Sequence, residues 1–227
     1  MPPKAKTDRG ARRSLSRELI LDASMRLLAE RGLDDLTLRN LGKELGVDPT
    51  AIYRYFRDKD ELLFGVSEQF LAGAVEGFEV DHGDWSGSIR RLCLRMRDAL
   101  LTQPRIAPLI ASRPPQCSAE YHFTELLLTS IDDAGFAGEE AAYVYHALVE
   151  YTIGVATIDA YAVGLEEGDG DQEHRKWRTM YLTLPPREFP RSVAMAPLLY
   201  PDVARQFEFG LDLLLDALRA RRARDGA

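Results

Sequence analysis

Residues Thr37–Lys59 read TLRNLGKELGVDPTAIYRYFRDK, and the stops and starts inside this run decide the fold. Thr37 is an N-cap residue whose hydroxyl can accept from the free amides of the following turn. Leu38, Leu41 and Leu45 then mark one apolar stripe of a helix about two turns long. Gly46 suits the left-handed position that ends such a helix. Asp48 caps the next helix, and Pro49 fits its first position, where a missing amide costs nothing. Ile52 and Phe56 point inward, leaving Thr50, Tyr53, Arg54 and Tyr55 to point elsewhere. Asp58 followed by Glu61 is a capping-box-like start for a further helix. A helix, a glycine-containing turn and a second short helix make a helix-turn-helix, whose second helix enters the major groove of DNA.

Upstream, Leu19, Ile20, Ala23 and Leu27 line one face of a helix over 16–31 that Gly32 terminates. It should pack across the helix-turn-helix as the third wall of a small core. Downstream, a longer helix over 61–80 carries Leu62, Leu63, Val66 and Phe70 inward. The stretch DHGDWSGS at 81–88 is turn-rich and marks the expected domain boundary. The 227-residue chain therefore divides into a basic arm at 1–14, a DNA-binding domain with its linking helix at 15–80, and a second domain at 81–227.

Charge follows the same division. The chain carries −7 overall, yet residues 1–60 hold 13 Lys and Arg against 10 Asp and Glu, whereas the remainder holds 16 against 26. Within 1–17 the balance is 6 against 1, so the arm is either a solubilising tail or a contact to phosphates or the minor groove. The basic end belongs to the expected DNA-binding unit, and the acidic remainder would stay clear of DNA.

The run T-L-R-x-L-x-x-x-L-G-V-x-P-x-A-I-Y-R-Y-F-x-x-K-x-x-L resembles the DNA-binding domain of the tetracycline-repressor (TetR) family, and the likeness extends back through 16–32 and forward to about Phe70. The resemblance implies that the linking helix transmits ligand state to the reading helix. It also implies that Arg39 reaches a guanine edge or a phosphate. Pro49, Thr50 and Ala51 sit at the tip of the reading helix, close enough for bases and a thymine methyl. Thr37, Tyr53, Tyr55 and Lys59 should hold phosphates and fix orientation. The family dimerises, which implies two reading helices about one DNA turn apart and a palindromic operator.

Beyond the boundary the chain reads as all helix, so the fold class is all-α: a helix-turn-helix domain followed by a helical bundle for ligand binding and dimerisation. Amphipathic helices are expected over 89–102 (Leu92, Cys93, Met96 and Leu100 inward) and 120–134 (Phe123, Leu127 and Ile131). The stretch 139–163 is apolar on nearly every face and suits a central bundle helix. Residues 164–201 are charged and carry Pro185, Pro186, Pro190, Pro197 and Pro201, so a long irregular stretch is expected there, with a short helical piece near 173–181. In the last helix, over 203–222, Phe207, Leu211, Leu214 and Leu218 share one face and are assigned to dimerisation. Its apolar surface is too wide for one core.

Trp85, Ser112-Arg113-Pro114, Gly135-Phe136, Tyr151–Gly154 and Phe207–Asp216 together resemble the ligand-binding domain of the tetracycline repressors proper, which bind a magnesium–tetracycline chelate. Position by position, the family's metal-binding histidine falls at Leu109, its pocket asparagine and phenylalanine at Leu92 and Met96, and its glutamine near Leu127. The groups that recognise tetracycline are replaced by apolar ones, which points to a largely apolar pocket for an aromatic or polyketide-like compound. Leu92, Met96, Leu109, Ser112, Phe123, Leu127, Tyr143, His146 and Glu150 are the candidate ligand contacts, although His146 and Glu150, four apart, also suit a core hydrogen bond.

Other classes find little support. No nucleophile elbow, phosphate loop, dinucleotide fingerprint or zinc motif occurs, so neither an enzyme nor a cofactor is expected. No third ligand joins His146 and Glu150 at metal spacing. The calcium-loop-like Asp169–Glu173 fails because His174 and Met180 stand where glycine and glutamate are required. Cys93 and Cys117 have no redox spacing, no run reaches membrane-spanning length, and the N-terminus lacks an apolar signal region, all of which reads as a cytoplasmic protein. The expected partners are an operator duplex, a small-molecule effector and a second copy of the chain, with no membrane. The alternative is a DNA-binding regulator controlled by a protein partner without an effector.

Overall fold

The computed structural model describes residues 15–102, 117–164 and 170–225, with side chains placed outside 161–174 and 225. Every regular element among them is a helix. The chain divides into two compact units, Met1–Leu63 and Phe64–Ala227, and the linking helix runs through the division. This division falls ahead of the expected 80/81.

The first unit comprises α1 (Arg17–Arg31), α2 (Leu38–Leu45), α3 (Pro49–Ile52) and the start of α4 (Lys59–Val75). Each helix starts where its cap residue predicts. The Ser16 Oγ accepts from the Leu19 amide, the Thr37 Oγ1 from the Asn40 amide at 3.1 Å, and the Asp48 Oδ1 from the Thr50 amide at 2.8 Å. Gly46, at φ 64°, closes α2 in the left-handed conformation. Ile20, Leu27, Leu28, Leu36, Leu41, Ile52, Phe56 and Leu62 are buried together and form the core, each stabilising the unit by about 1.5–3 kcal/mol.

The second unit contains the rest of α4, then α5 (Trp85–Thr102), α6 (Ser118–Asp133), α7 (Gly138–Gly164), α8 (Gly170–Leu182), α9 (Pro190–Met195) and α10 (Val203–Asp225). Helix α4 stops at Val75, short of the expected residue 80, because the chain turns through Gly77 at φ 62°. Helix α5 begins four residues earlier than expected. The Asp84 carboxylate accepts from the Gly87 amide and the Ser86 hydroxyl, which turns the end of DHGDWSGS into a cap and buries Trp85.

Helices α5, α6, α7 and α10 make the core of this unit. Ile89, Leu92, Cys93, Met96 and Leu100 of α5 are buried with Phe123, Leu127 and Ile131 of α6, Val144, Leu148 and Ala156 of α7, and Phe207, Leu211 and Leu215 of α10. Burial pushes the Cys93 thiol up to about 11, so it behaves as a small apolar side chain. The expectation of an irregular stretch over 164–201 is corrected, since α8 and α9 both lie within it. Pro190 occupies the first turn of α9, where it does no harm, and Pro185 and Pro186 lie in the turn before it.

Among the described residues one ionic contact is buried. Arg97 of α5 donates from Nη2 to the Asp159 Oδ2 of α7 at 3.1 Å, and both side chains are only 7% exposed. The Arg97 guanidinium also lies 5.1 Å from the Phe207 ring centre, and its Nε has no hydrogen-bond partner. The Tyr151 hydroxyl donates to the Phe207 carbonyl at 2.8 Å, tying α7 to α10, and Gly210 lets that ring approach the α10 backbone. Asp159→Ala, which strands the Arg97 charge, is expected to cost about 3–5 kcal/mol in urea unfolding, far more than removal of an exposed carboxylate.

Candidate nucleic-acid interface and effector site

The reading helix α3 has only four residues, too few to persist alone, so neighbours must hold it. Gly42 of α2 is the point of closest approach. A Cβ there would stand 3.0 Å from the Val47 carbonyl and 3.1 Å from the Pro49 Cγ. On the far side, the Tyr55 hydroxyl donates to the Leu15 carbonyl at 2.5 Å, and the Arg17 Nη1 donates to the Tyr55 carbonyl at 3.3 Å. The Arg17 guanidinium also covers the Phe56 ring at 4.3 Å and pairs with Glu61 at 3.7 Å. The segment after α3 is therefore fastened back to the start of α1.

This geometry corrects one assignment. Tyr55 was expected to meet a phosphate, but it is half-buried with its hydroxyl committed to Leu15, so it positions α3. The other candidates stand at the surface or partly so. Thr37, Arg39 and Thr50 are exposed, Tyr53 is 55% exposed, and Pro49 and Ala51 are half-buried along α3. The Thr50 hydroxyl donates to the Asp48 Oδ1 at 2.6 Å, leaving its methyl and its oxygen lone pairs for a ligand. Lys59, at the start of α4, is exposed and donates to the Leu33 carbonyl at 3.4 Å. The fastening by Arg17 and the close approach at Gly42 were not read from the sequence. A lone arginine beside a cap, or a glycine inside a helix, carries no signal of either.

Two carboxylates hold the helix starts. Asp48 lies below the ordinary carboxylate range because the Thr50 hydroxyl and then its amide donate to it, and Asp58 does so chiefly because of the Glu61 amide. Glu61 in turn accepts from the Arg57 amide at 2.8 Å.

The candidate effector contacts do not all converge. Leu92 and Met96 of α5 and Phe123 and Leu127 of α6 are buried on neighbouring helices. Leu109 and Ser112 lie outside the described residues. Tyr143, His146 and Glu150 do not join the buried set. They stand on the outer face of α7, where the side chains of His146 and Glu150 are 64% and 77% exposed with Nδ1 and Oε1 3.9 Å apart. The Tyr143 hydroxyl donates to Glu139 at 2.5 Å. The buried stripe of α7 runs instead through Val144, Leu148, Thr152 and Ala156.

The dimerisation set divides in the same way. Phe207 and Leu211 are fully buried in their own chain, Phe207 against Tyr151 with ring centres 5.4 Å apart, so they belong to the core. Leu214 and Leu218 are half-buried and line a surface hollow with α7, while Phe209 and Leu213 face outward. A second hollow, of about 710 Å³, was not read from the sequence. It is an open groove lined by Trp177, Met180, Tyr181, Thr183, Leu184 and Tyr200. The hydroxyls of Tyr181 and Tyr200 lie 3.5 Å apart there, and Tyr200 takes the unusual φ of 59°. Among the described residues no group of three or more His, Cys, Asp or Glu side chains is placed to hold a metal ion, and no helix is long and apolar enough to cross a membrane.

The unit holding α3 matches the family described as bacterial regulatory proteins, tetR family, over residues 20–66, and residues 79–222 match the tetracyclin repressor-like C-terminal domain. The chain belongs to the TetR family. This TetR-family member is 27% identical over 209 residues to the tetracycline repressor protein class C of Escherichia coli, covering 92% of both chains. ActR of Streptomyces coelicolor, solved with actinorhodin, is 25% identical and superposes with a TM-score of 0.79 over 92% of this chain and 98% of its own. BioQ, solved with its double-stranded DNA operator, is also 25% identical, with a TM-score of 0.59 over 90% and 98%. The chain is thus a DNA-binding transcriptional regulator and not an enzyme.

The caps give this TetR-family unit an acid limit. A depressed folded pKa stabilises above the unfolded value of about 3.9, and that stabilisation is lost as pH falls through the folded value. Thermal melts taken from about pH 5 down to about pH 2 should lose stability less steeply in Asp48→Asn/Asp58→Asn, where the caps no longer titrate. Tyr55→Phe should lower the stability of the unit by about 1 kcal/mol, measured by the same melts, through loss of the Leu15 hydrogen bond.

Proposed function

We propose that this regulator is a repressor that binds a palindromic operator as a homodimer in the cytoplasm and is released by a small, largely apolar or aromatic compound. The single observation that carries the reading is the capped, fastened α3, with Thr50 and Tyr53 exposed on a unit of the TetR family. Arg39, Thr50 and the tip residues Pro49 and Ala51 read base edges. Thr37, Tyr53 and Lys59 hold phosphates.

Dimerisation is supported by what α7 and α10 leave uncovered. Arg90 of α5 pairs with both Glu208 and Asp212, and Arg221 pairs with Glu140, so charges flanking the exposed strip are neutralised within the chain. What remains outward includes Tyr143, Ala147, Gly154 and Ile158 of α7 and Phe209 and Leu213 of α10. Small residues at 147 and 154 permit close helix approach, and the large apolar ones gain by burial.

An apolar effector is supported by the buried Leu92, Met96, Phe123 and Leu127 and by the aromatic groove, whose described lining offers an indole N–H and hydroxyls as its polar side-chain groups and no charge. That a relative of this fold takes a small molecule is shown by ActR, solved in complex with actinorhodin. The effector acts only in so far as it binds the released conformation more tightly than the operator-bound one.

The test is to select the bound sequence from random duplexes and then screen aromatic and polyketide compounds for release from it. A palindrome and at least one releasing compound are expected. On the selected operator, Lys59→Ala and Tyr53→Phe should weaken binding to specific and random DNA alike, while Arg39→Ala and Thr50→Ala change the preference between operators by about 1–3 kcal/mol. Equal losses on all sequences for all four variants would remove the proposed division of roles.

A further inference from the structure

Helices α8 and α9 form a hairpin that buries almost nothing. Between residues 175 and 200 only Ala196 is buried, whereas Met180, Leu182, Phe189, Met195 and Leu198 are exposed. A cluster of rings packs there in place of an aliphatic core. The ring centres of Trp177 and Tyr200 lie 5.0 Å apart and those of Tyr181 and Tyr200 6.2 Å apart, tilted in both pairs. All three line the groove of about 710 Å³, a volume within the range of about 300–1,000 Å³ usual for small-molecule sites.

Tyr200 is held in a costly conformation to make that groove. Among the described residues it alone, glycines apart, has a positive φ, and a bulky side chain is strained there. Its neighbours keep it in place. The Arg178 Nη1 donates to the Tyr200 carbonyl at 3.1 Å, and the Tyr181 and Tyr200 hydroxyls lie 3.5 Å apart. That bond uses one of the five N–H donors of the Arg178 guanidinium.

Charge sets the hairpin apart from its surroundings. Residues 175–200 hold Arg175, Lys176, Arg178, Arg187 and Arg191 against Glu188 alone, within a stretch, 61–227, where acidic residues outnumber basic ones 26 to 16. On α8, Lys176 neighbours Met180 at i, i+4 and Arg178 neighbours Tyr181 at i, i+3, so a cation borders each edge of the face that carries the rings. An uncharged aromatic lining with cations at its borders is the complement of a flat ring system bearing one acidic group.

We propose that the α8–α9 groove binds a planar multi-ring aromatic acid, with its rings against Trp177, Tyr181 and Tyr200 and its carboxylate on Arg178. The inference deepens the effector reading and rests on it only for the consequence for DNA.

The experiment titrates the full chain, without DNA, with anthraquinone-2-carboxylate and in parallel with the uncharged anthraquinone-2-carboxamide, reading tryptophan fluorescence. The chain has two tryptophans, Trp177 and the buried Trp85. The acid should quench saturably, and the change should be lost in Trp177→Phe, where Trp85 alone emits. Arg178→Met should weaken the acid by about tenfold or more beyond any loss for the amide, because only the acid loses a charge-assisted hydrogen bond. A merely structural role would weaken both alike. Tyr200→Gly, which takes a positive φ without strain, should stay folded in thermal melts and lose binding of both compounds. Equal losses of acid and amide in Arg178→Met would overturn the proposal, as would quenching of the same size in Trp177→Phe or the absence of saturable binding. So would an acid affinity that rises as the protein is diluted, which would assign the groove to a second copy of the chain. Each of these results leaves the repressor reading standing, and failure to select a palindrome would leave binding in the groove standing.

Discussion

A four-residue helix cannot hold its own shape, and everything in the first unit answers to that constraint. Nucleation fixes several residues for very few hydrogen bonds, so α3 exists only while its surroundings supply the rest. Asp48 takes its free amide, Pro49 removes another, and Ile52 and Phe56 are buried at its back. Gly42 lets α2 come within contact of the turn, and Arg17 and Tyr55 bind the following segment to α1. Each of these would be a small effect elsewhere. Together they fix the position of Thr50 and Tyr53, and a reading helix is useful only if its position is fixed.

The second unit solves a different problem. Helices α5, α6, α7 and α10 bury a broad apolar core, yet a buried ion pair crosses it and an apolar strip is left outside it. Arg97 and Asp159 gain less from each other than two apolar residues could, because both are taken out of water. Their pairing does select one alignment of α5 on α7, since a shift of either helix strands a charge. A bundle that must hold two helices in register has a use for that selectivity.

The small unit was legible in the sequence because its signals are local and redundant. Thr37, Gly46, Asp48 and Pro49 each fix a backbone conformation within a few residues, and the structure places every one where its chemistry requires. The orientation of Tyr55 was not legible, because the spacing says which residues leave the core stripe and not whether a carbonyl such as that of Leu15 waits to receive a hydroxyl. In the second unit the helices were visible but their facing was not. Helix α7 is apolar nearly all round, so its periodicity could not decide between the face bearing Val144 and Leu148 and the face bearing Tyr143 and His146. Phe207 and Leu211 share a helix face with Leu214 and Leu218, and only the packing of Tyr151 and Arg97 shows that the first two are interior. Prolines hid α8 and α9, for they end helices and start them equally well.

The central claim is that two copies of α3 are held at one fixed separation. It is tested most directly by measuring the affinity of the wild-type protein for its selected palindrome and for versions with one to five base pairs inserted between the half-sites. The account predicts a sharp optimum with centres about 10 base pairs, one helical turn, apart, and loss of specific binding when about half a turn is inserted. Affinity that is indifferent to the insertion, or specific binding to a single half-site as tight as to the palindrome, would contradict it.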